Sequence, residues 1–462
     1  MTKKYDFIII GSGPGGHQTA VHAAQAGKAV AIIEKDREIG GACVHQGTIP
    51  SKTLRETALN LCRFMKSANG FEYSLKQNVQ VESLMNRKEQ VRKTHVQSMK
   101  LQLKGVDCYR GRASFIDKNK IEVSGIRGKK EILQAEYIVI ATGSRPRKPG
   151  NVPIDHEHIL DSDSILSMIY LPSSLTVLGA GVIACEYATI FSILGVDVTI
   201  INNVERPLGF LDNDMTDKFL ESFKNQNGTY LGNETIKSVS WDGISEVITT
   251  LESGKEVRSE KLFVALGRLA NVEILKPEKV GVTMSPRNQI IVNENYQTSV
   301  DNIYAVGDVI GFPALASTSM EQGRRAICHA LNQDMGTPFE NVPIGIYTIP
   351  EISCIGLRED EAREKYDNIL VASANFQEVA RGEISDIQDG LLKMICSTDG
   401  KILGVHIIGE GATELVHVAQ MAILGNLPVT TFIENVMNFP TLAEAYRVAA
   451  IKIQKQRDSE IP

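Results

Sequence analysis

Two stretches built on one plan constrain this chain more than anything else in it. After the apolar run Tyr5 to Ile10 comes Gly11-x-Gly13-Pro14-Gly15-Gly16, then the helical pattern "HQTAVHAAQAG", then a second apolar run "AVAIIEK". The order predicts strand, glycine turn, helix and strand. Gly11, Gly13 and Gly16 let the backbone turn sharply and approach a pyrophosphate at the helix N-terminus, while Glu34, ending the second strand, can accept hydrogen bonds from a ribose diol. The plan recurs in "LTVLGAGVIACEYATIFSILGVDVTIINNVER", with Gly179, Gly181 and Ala184 at the turn. Two such units in one chain predict one dinucleotide that stays and one that visits.

The two units differ at one informative position. Glu34 stands 23 residues after Gly11, and the same step from Gly179 reaches Asn202. A carboxylate there would accept from the 2′-hydroxyl of NAD and repel the 2′-phosphate of NADP. Asn202, with Asn203 and Arg206 nearby, removes that repulsion and predicts a site tolerant of both coenzymes. Asn202 is also compatible with simply ending a strand while another residue selects.

A chain of 462 residues is too long for one core and predicts two to four domains. Its mild acidic balance, formally -6, and the lack of any basic stripe interleaved with aromatics argue against a nucleic-acid partner. The seven cysteines are scattered, with no C-x-x-C pair or zinc spacing, which fits a reducing compartment. His45 and the pair His156-x-His158 lack a third ligand at suitable spacing, so no metal is expected. The apolar run of the first strand is too short for a signal peptide, and none approaches a membrane helix. The expected location is the cytoplasm.

Three further stretches, "IVIATGSRPR", "LFVALGRLANVEIL" and "NIYAVGDV", are apolar runs that end in glycine turns at Gly143, Gly267 and Gly307. Together with the two fingerprints and the segment "GGACVHQGTIPSK" (Gly40 to Lys52), they make the chain resemble the FAD- and NAD(P)-dependent pyridine nucleotide-disulfide oxidoreductase family over essentially its whole length. The resemblance implies an α/β fold with two Rossmann-like domains and a C-terminal α+β dimerisation domain. FAD would occupy residues 1–150 and 271–336, NAD(P) residues 151–270, and the interface domain 337–462. It implies tightly bound FAD held by Gly11, Gly13, Gly16, Glu34, Gly143 and Asp308. NAD and NADP would be substrates at Gly179, Gly181, Asn202, Arg206 and Gly267. A homodimer or larger homo-oligomer is implied, with no membrane partner. Read alone, Asp308 is also a common turn-forming aspartate.

Most members of this family carry two cysteines in the 40–52 segment. The first aligns with Cys43, but the second position is Thr48, which has no thiolate to offer. The histidine that serves thiols in many disulfide-reducing members aligns with Phe439 of "NFPTLAEAYRVAA", which cannot transfer a proton. Glu444 follows, and Thr441-x-x-Glu444 also reads as a helix-capping box. Thiol and base are lost together, so the pattern most resembles the soluble, flavin-dependent pyridine nucleotide transhydrogenases, which pass hydride between NADPH and NAD⁺ without a redox-active disulfide. The resemblance assigns Lys52 to the flavin's reactive edge and Glu186 to holding it; either alone is also an ordinary helix charge. Cys43 reads as a small apolar filler and Thr48 as a packing or hydrogen-bonding group. The competing readings are a dihydrolipoamide-type disulfide reductase, an NAD(P)H oxidase or diaphorase, and a flavin-binding scaffold.

Overall fold

The first fingerprint folds as its pattern predicts, because its apolar residues bury on both faces of one sheet. The computed structural model describes residues 2–67, 81–125, 128–337, 341–387 and 389–460. The opening strand, Lys3–Ile10, starts two residues before its apolar run, since Lys3 and Lys4 extend the ladder against Leu133 and Gln134. It lies parallel to Val30–Glu34 on one side and to Lys130–Ile140 on the other. Asp107–Arg110 adds an outer parallel strand, and Ile303–Ala305 returns from far along the chain to pair with Lys130–Ile140. Lys120–Ser124 pairs antiparallel with Lys130–Ile140, and Arg112–Asp117 completes the sheet antiparallel to Lys120–Ser124. The glycine turn after Lys3–Ile10 therefore sits where the connections diverge to opposite sides, the position at which open α/β sheets bind ligands.

The second unit repeats this with a five-stranded parallel sheet. Its order is Thr229–Leu231, Asp197–Ile201, Ser174–Leu178, Lys261–Val264 and Ile159–Asp161. An antiparallel three-stranded sheet, Ile236–Trp241, Val247–Leu251 and Glu256–Ser259, is inserted before its last-added central strand. The C-terminal part is a five-stranded antiparallel sheet whose strands Leu391–Ser397 and Ile402–Ile408 are buried at every position. Helices Ala412–Leu424 and Glu444–Glu460 pack on it. A long polar helix runs Val81–Gln102, and residues 68–80 before it lie outside the described residues. Among the described residues, no helix is long and apolar enough to cross a membrane.

One apolar cluster joins these parts. Leu54 and Ala58, on the helix Thr48–Ser67, pack with Leu175 and Phe191 of the second unit and with Ile346 and Ile352 of the C-terminal sheet. Burial of such side chains contributes roughly 1.5–3 kcal/mol each. The helix that begins at Thr48 is thereby clamped between two sheets, which gives its first turn a fixed address.

A polar cluster makes a second joint. Lys393, with a side chain 4% exposed, places Nζ 3.0 Å from Asp212, 3.0 Å from Asp214 and 2.7 Å from Glu359. Asp212 precedes the helix Asn213–Asn225 of the second unit and also accepts the Glu359 N–H at 3.1 Å. Burial opposes charge on Lys393, but hydrogen bonds from Glu359, Asp212 and Asp214 outweigh it and push the ammonium up to about 12. Buried His406 lies alongside, hydrogen-bonded to the Leu357 carbonyl at 2.9 Å.

Candidate functional site

The glycines of the first unit's turn divide their work between packing and openness. Gly11 adopts φ +101°, and a Cβ there would lie 2.3 Å from the Ala141 carbonyl oxygen; at Gly16 it would lie 1.9 Å from the Gly11 oxygen. A Cβ at Gly13 would meet nothing within 4 Å, so this residue faces open space at the start of the helix Pro14–Gln25. Free N–H groups at that N-terminus suit an anion. Glu34 is buried, and its Oε2 accepts the Ser12 N–H at 3.0 Å and the Ser12 hydroxyl at 2.5 Å. Asp36 N–H binds Oε1 at 3.0 Å, so the carboxylate is fixed in place with lone pairs left for a diol. Ser12, the unassigned residue between the glycines, also receives the Gly40 N–H at 3.0 Å and so ties the fingerprint to the 40–52 segment.

That segment turns back across the fingerprint. A Cβ at Gly41 (φ +59°) would lie 2.8 Å from the Gly13 Cα, so glycine permits the contact. The short helix Gly41–His45 carries Cys43, and the helix Thr48–Ser67 carries Thr48 and, one turn on, Lys52. The Thr48 side chain lies beside the Cys43 thiol, and both line the cavity here. Burial pushes the Cys43 thiol up, opposed by Thr48 and the Lys52 charge, so it is protonated near neutral pH. All seven cysteines carry free thiols, and among the described residues Cys43 is the one that lines the cavity here.

Lys52 and Glu186, 134 residues apart, meet at 2.6 Å. Glu186 is 5% exposed at its side chain, lies on the helix Val182–Ile193, and accepts the Tyr347 N–H at 2.9 Å through its other oxygen. The Lys52 ammonium also stands 4.9 Å from the Tyr347 ring centroid, within cation–π range. Tyr347 thus holds the pair from two sides, and sequence reasoning missed it. The only signal was its place in the stretch "IGIYTIPEISCIG", which carries no residue-level chemistry.

These groups share a cavity of about 1160 Å³ running from Gly11 and Glu34, past Cys43, Thr48 and Lys52, to Asp308. That is somewhat larger than the roughly 300–1,000 Å³ usual for small-molecule sites. Asp308 accepts the Ser144 hydroxyl at 2.6 Å through Oδ2, while Arg268 donates to the same hydroxyl at 2.7 Å and to the Ser144 carbonyl at 2.9 Å. Ser144 directly follows Gly143, which also lines the cavity. Arg268 and Ser144 went unremarked in the sequence because their partners lie over 100 residues away.

The second fingerprint opens beside this cavity and outside its lining. Gly179 packs against the Ala265 carbonyl, Gly181 is open, and Ala184 is fully buried. The helix that follows contributes Val182, Ile183, Glu186 and Tyr187 to the cavity wall, so its first turns join the fingerprint to the cavity. Gly267 follows the strand Lys261–Val264 and accepts the Arg147 N–H at 3.0 Å. Asn202 donates to the Tyr230 hydroxyl at 3.2 Å. Arg206 is turned onto the helix Asn213–Asn225, where it pairs with Asp217.

Phe439 is 69% exposed, and Glu444 opens its helix with Oε2 accepting the Thr441 N–H at 3.3 Å. The Thr441 hydroxyl turns instead to the Asn438 carbonyl, so half of the expected capping box forms. His158 stacks on Trp241 with ring centroids 3.8 Å apart, and His45 binds the Ile39 carbonyl at 2.8 Å; both histidines have structural partners.

Comparison with known proteins agrees with this geometry. Residues 5–323 match the family described as pyridine nucleotide-disulphide oxidoreductase, and residues 342–450 match that family's dimerisation domain. The chain is similar to the soluble pyridine nucleotide transhydrogenase of Mycobacterium tuberculosis (41% identity over 459 residues, 98% of each chain). It is also similar to that of Hahella chejuensis (40% over 456 residues, 97% of this chain and 98% of the other). Among solved structures, LpdA from Mycobacterium tuberculosis matches with a TM-score of 0.90 at 25% identity, over 98% of this chain and 99% of the other. The HOCl-induced flavoprotein disulfide reductase RclA from Escherichia coli matches with a TM-score of 0.88 at 25% identity, over 97% and 99%.

Proposed function

Because this chain belongs to the pyridine nucleotide-disulphide oxidoreductase family, we propose that it is a soluble NAD(P)⁺ transhydrogenase, moving hydride reversibly from NADPH to NAD⁺ through FAD by a ping-pong course without a redox-active disulfide. One observation carries the reading: the cavity sets its single thiol, Cys43, against Thr48, while the Lys52–Glu186 pair beside it is complete. Its relatives named as transhydrogenases support the same assignment.

The residues fit FAD. The open face at Gly13 and the helix N-terminus behind it would take the pyrophosphate, Glu34 the adenosine ribose, and Asp308, with Oδ1 unbonded among the described residues, a ribityl hydroxyl. FAD, when bound, supplies reversible acceptance of two electrons as hydride from one nicotinamide and their return to another. The protein's share is positioning and charge. Lys52 offers a fixed positive charge to the negative charge that builds during reduction, and Glu186, anchored by the Tyr347 N–H, keeps the ammonium from turning to solvent. Thr48 fills the second-thiol position and leaves Cys43 without a sulfur partner, so electrons have no local exit but a nicotinamide.

The second unit, with Gly179, Gly181, Asn202, Arg206 and Gly267, would receive NAD(H) and NADP(H) in turn. FAD would be held by residues 1–150 and 271–336, the visiting coenzyme by 151–270, and 337–462 would form the interface of a homodimer or larger homo-oligomer. The dimerisation-domain match and the exposed apolar Val436 and Phe439 favour that interface. The reading places the enzyme in the cytoplasm, where seven free thiols persist.

The test is an anaerobic assay of FAD-loaded protein with NADPH as donor and thio-NAD⁺ as acceptor, run beside lipoamide and glutathione disulfide. Thio-NADH is expected to form rapidly while both disulfide assays stay at background. Disulfide turnover with little thio-NADH would assign a thiol reductase instead. Little thio-NADH, with rapid NADPH consumption only once air is admitted, would assign an oxidase.

A further inference from the structure

Two residues outside the second fingerprint, Tyr230 and Asp217, hold Asn202 and Arg206 in place. Tyr230, on the strand Thr229–Leu231, gives its one hydroxyl proton to the Val204 carbonyl at 3.1 Å. Toward Asn202 it can therefore only accept, so the Asn202 amide nitrogen faces Tyr230 at 3.2 Å. The Asn202 carbonyl is left for the ligand as a fixed, uncharged acceptor. It suits a ribose 2′-hydroxyl, and it lacks the charge that would repel a 2′-phosphate.

Arg206 is held as firmly. Its Nη1 contacts Asp217, the Thr216 hydroxyl at 3.2 Å and the Asn213 carbonyl at 3.4 Å, all on the helix Asn213–Asn225. Its Nη2 and Nε take no partner among the described residues, so one edge of the guanidinium remains available to a phosphate. The Asp217 carboxylate sits on the other edge and opposes any dianion that arrives.

We infer that Asp217 and Tyr230 are specificity-determining residues that balance the two coenzymes: Tyr230 presents the Asn202 carbonyl to the 2′-hydroxyl of NAD(H), and Asp217 restrains and partly neutralises the Arg206 that would otherwise favour the 2′-phosphate of NADP(H). Such balance is what a single site needs to serve both coenzymes in turn. The inference rests on the reading that this unit takes both.

The test is calorimetric binding of ADP-ribose and 2′-phospho-ADP-ribose to the oxidised, FAD-loaded protein, which reads the 2′ site without turnover. Asp217→Asn is expected to tighten the phosphorylated ligand by about threefold to tenfold and to leave ADP-ribose within about twofold. Tyr230→Phe is expected to weaken ADP-ribose by about threefold to tenfold, because Asn202 is then free to turn its amide outward, with the phosphorylated ligand held within about twofold. If wild-type protein binds both ligands and neither variant changes their affinity ratio, or each variant shifts both affinities equally, the inference is overturned and the transhydrogenase reading stands. If wild-type protein binds only one of them, that reading and the inference fall together.

Discussion

Lys52→Met is expected to slow the anaerobic bleaching of bound flavin by NADPH roughly 100- to 1,000-fold, with the KM for NADPH moved by less than about threefold. The size follows from what is removed. Lys52 stands in the cavity beside Cys43 and Thr48, set by a 2.6 Å contact with a carboxylate that is itself buried. A charge that acts on the reacting edge affects the rate more than the affinity, so the loss falls on kcat. Glu186→Gln keeps the volume and can still accept the Tyr347 N–H, but it releases Lys52; a loss of about tenfold is expected. Because the two residues act as one unit, the double variant should lose little more than Lys52→Met alone. Stopped-flow absorbance at the flavin band measures all three. A Lys52→Met rate within about threefold of wild type would remove Lys52 from the chemistry.

Lys393→Met is expected to destabilise the protein by about 3–5 kcal/mol, because it removes a cation 4% exposed and leaves Asp212, Asp214 and Glu359 facing one another. The damage should concentrate at the joint between the helix Asn213–Asn225 and the C-terminal sheet. Scanning calorimetry is expected to record a midpoint several degrees lower. The triple change Lys393→Met, Asp212→Asn, Glu359→Gln should recover much of that loss, because no buried charge is then left unpaired. An unchanged midpoint in the single variant would mean that the carboxylates find water or other partners. The joint is also pH-sensitive in a defined direction. Burial opposes the Glu359 charge, but its bonds to Lys393 and Arg363 lower its carboxyl, so its contribution is present above the ordinary carboxylate range and lost as acid protonates it. Burial lowers His406, so stability also falls as pH drops through about 6.5, where an unfolded chain takes up the proton more readily.

How much of this was legible depended on how far apart the partners lie in the chain. Both glycine fingerprints, Glu34 and the strand ends at Gly143, Gly267 and Asp308 are local patterns, and each falls in the expected element or turn. Lys52 and Glu186 could be linked only through a resemblance, since nothing in either sequence neighbourhood points across 134 residues. Tyr347, Ser144 and Arg268 make long-range contacts that leave no local signature. Asp217 reads in sequence as one more solvated helix charge, and only its contact with Arg206 distinguishes it. The antiparallel insert Ile236–Ser259 has weak alternation and charged ends, so its pairing was not anticipated. The Thr441-x-x-Glu444 motif resolves into a local helix-start contact, whereas His158 finds its partner in Trp241, far along the chain.

The central claim is that the flavin has no second redox centre beside it, because Thr48 stands where a thiol partner for Cys43 would be. An anaerobic dithionite titration of the FAD-loaded protein, followed by its visible spectrum, tests this most directly. The account predicts complete bleaching after about one two-electron equivalent per flavin, with no long-wavelength band from a thiolate against the oxidised ring. Uptake of about two such equivalents, with that band growing in during the first and fading during the second, would reveal a dithiol and contradict it.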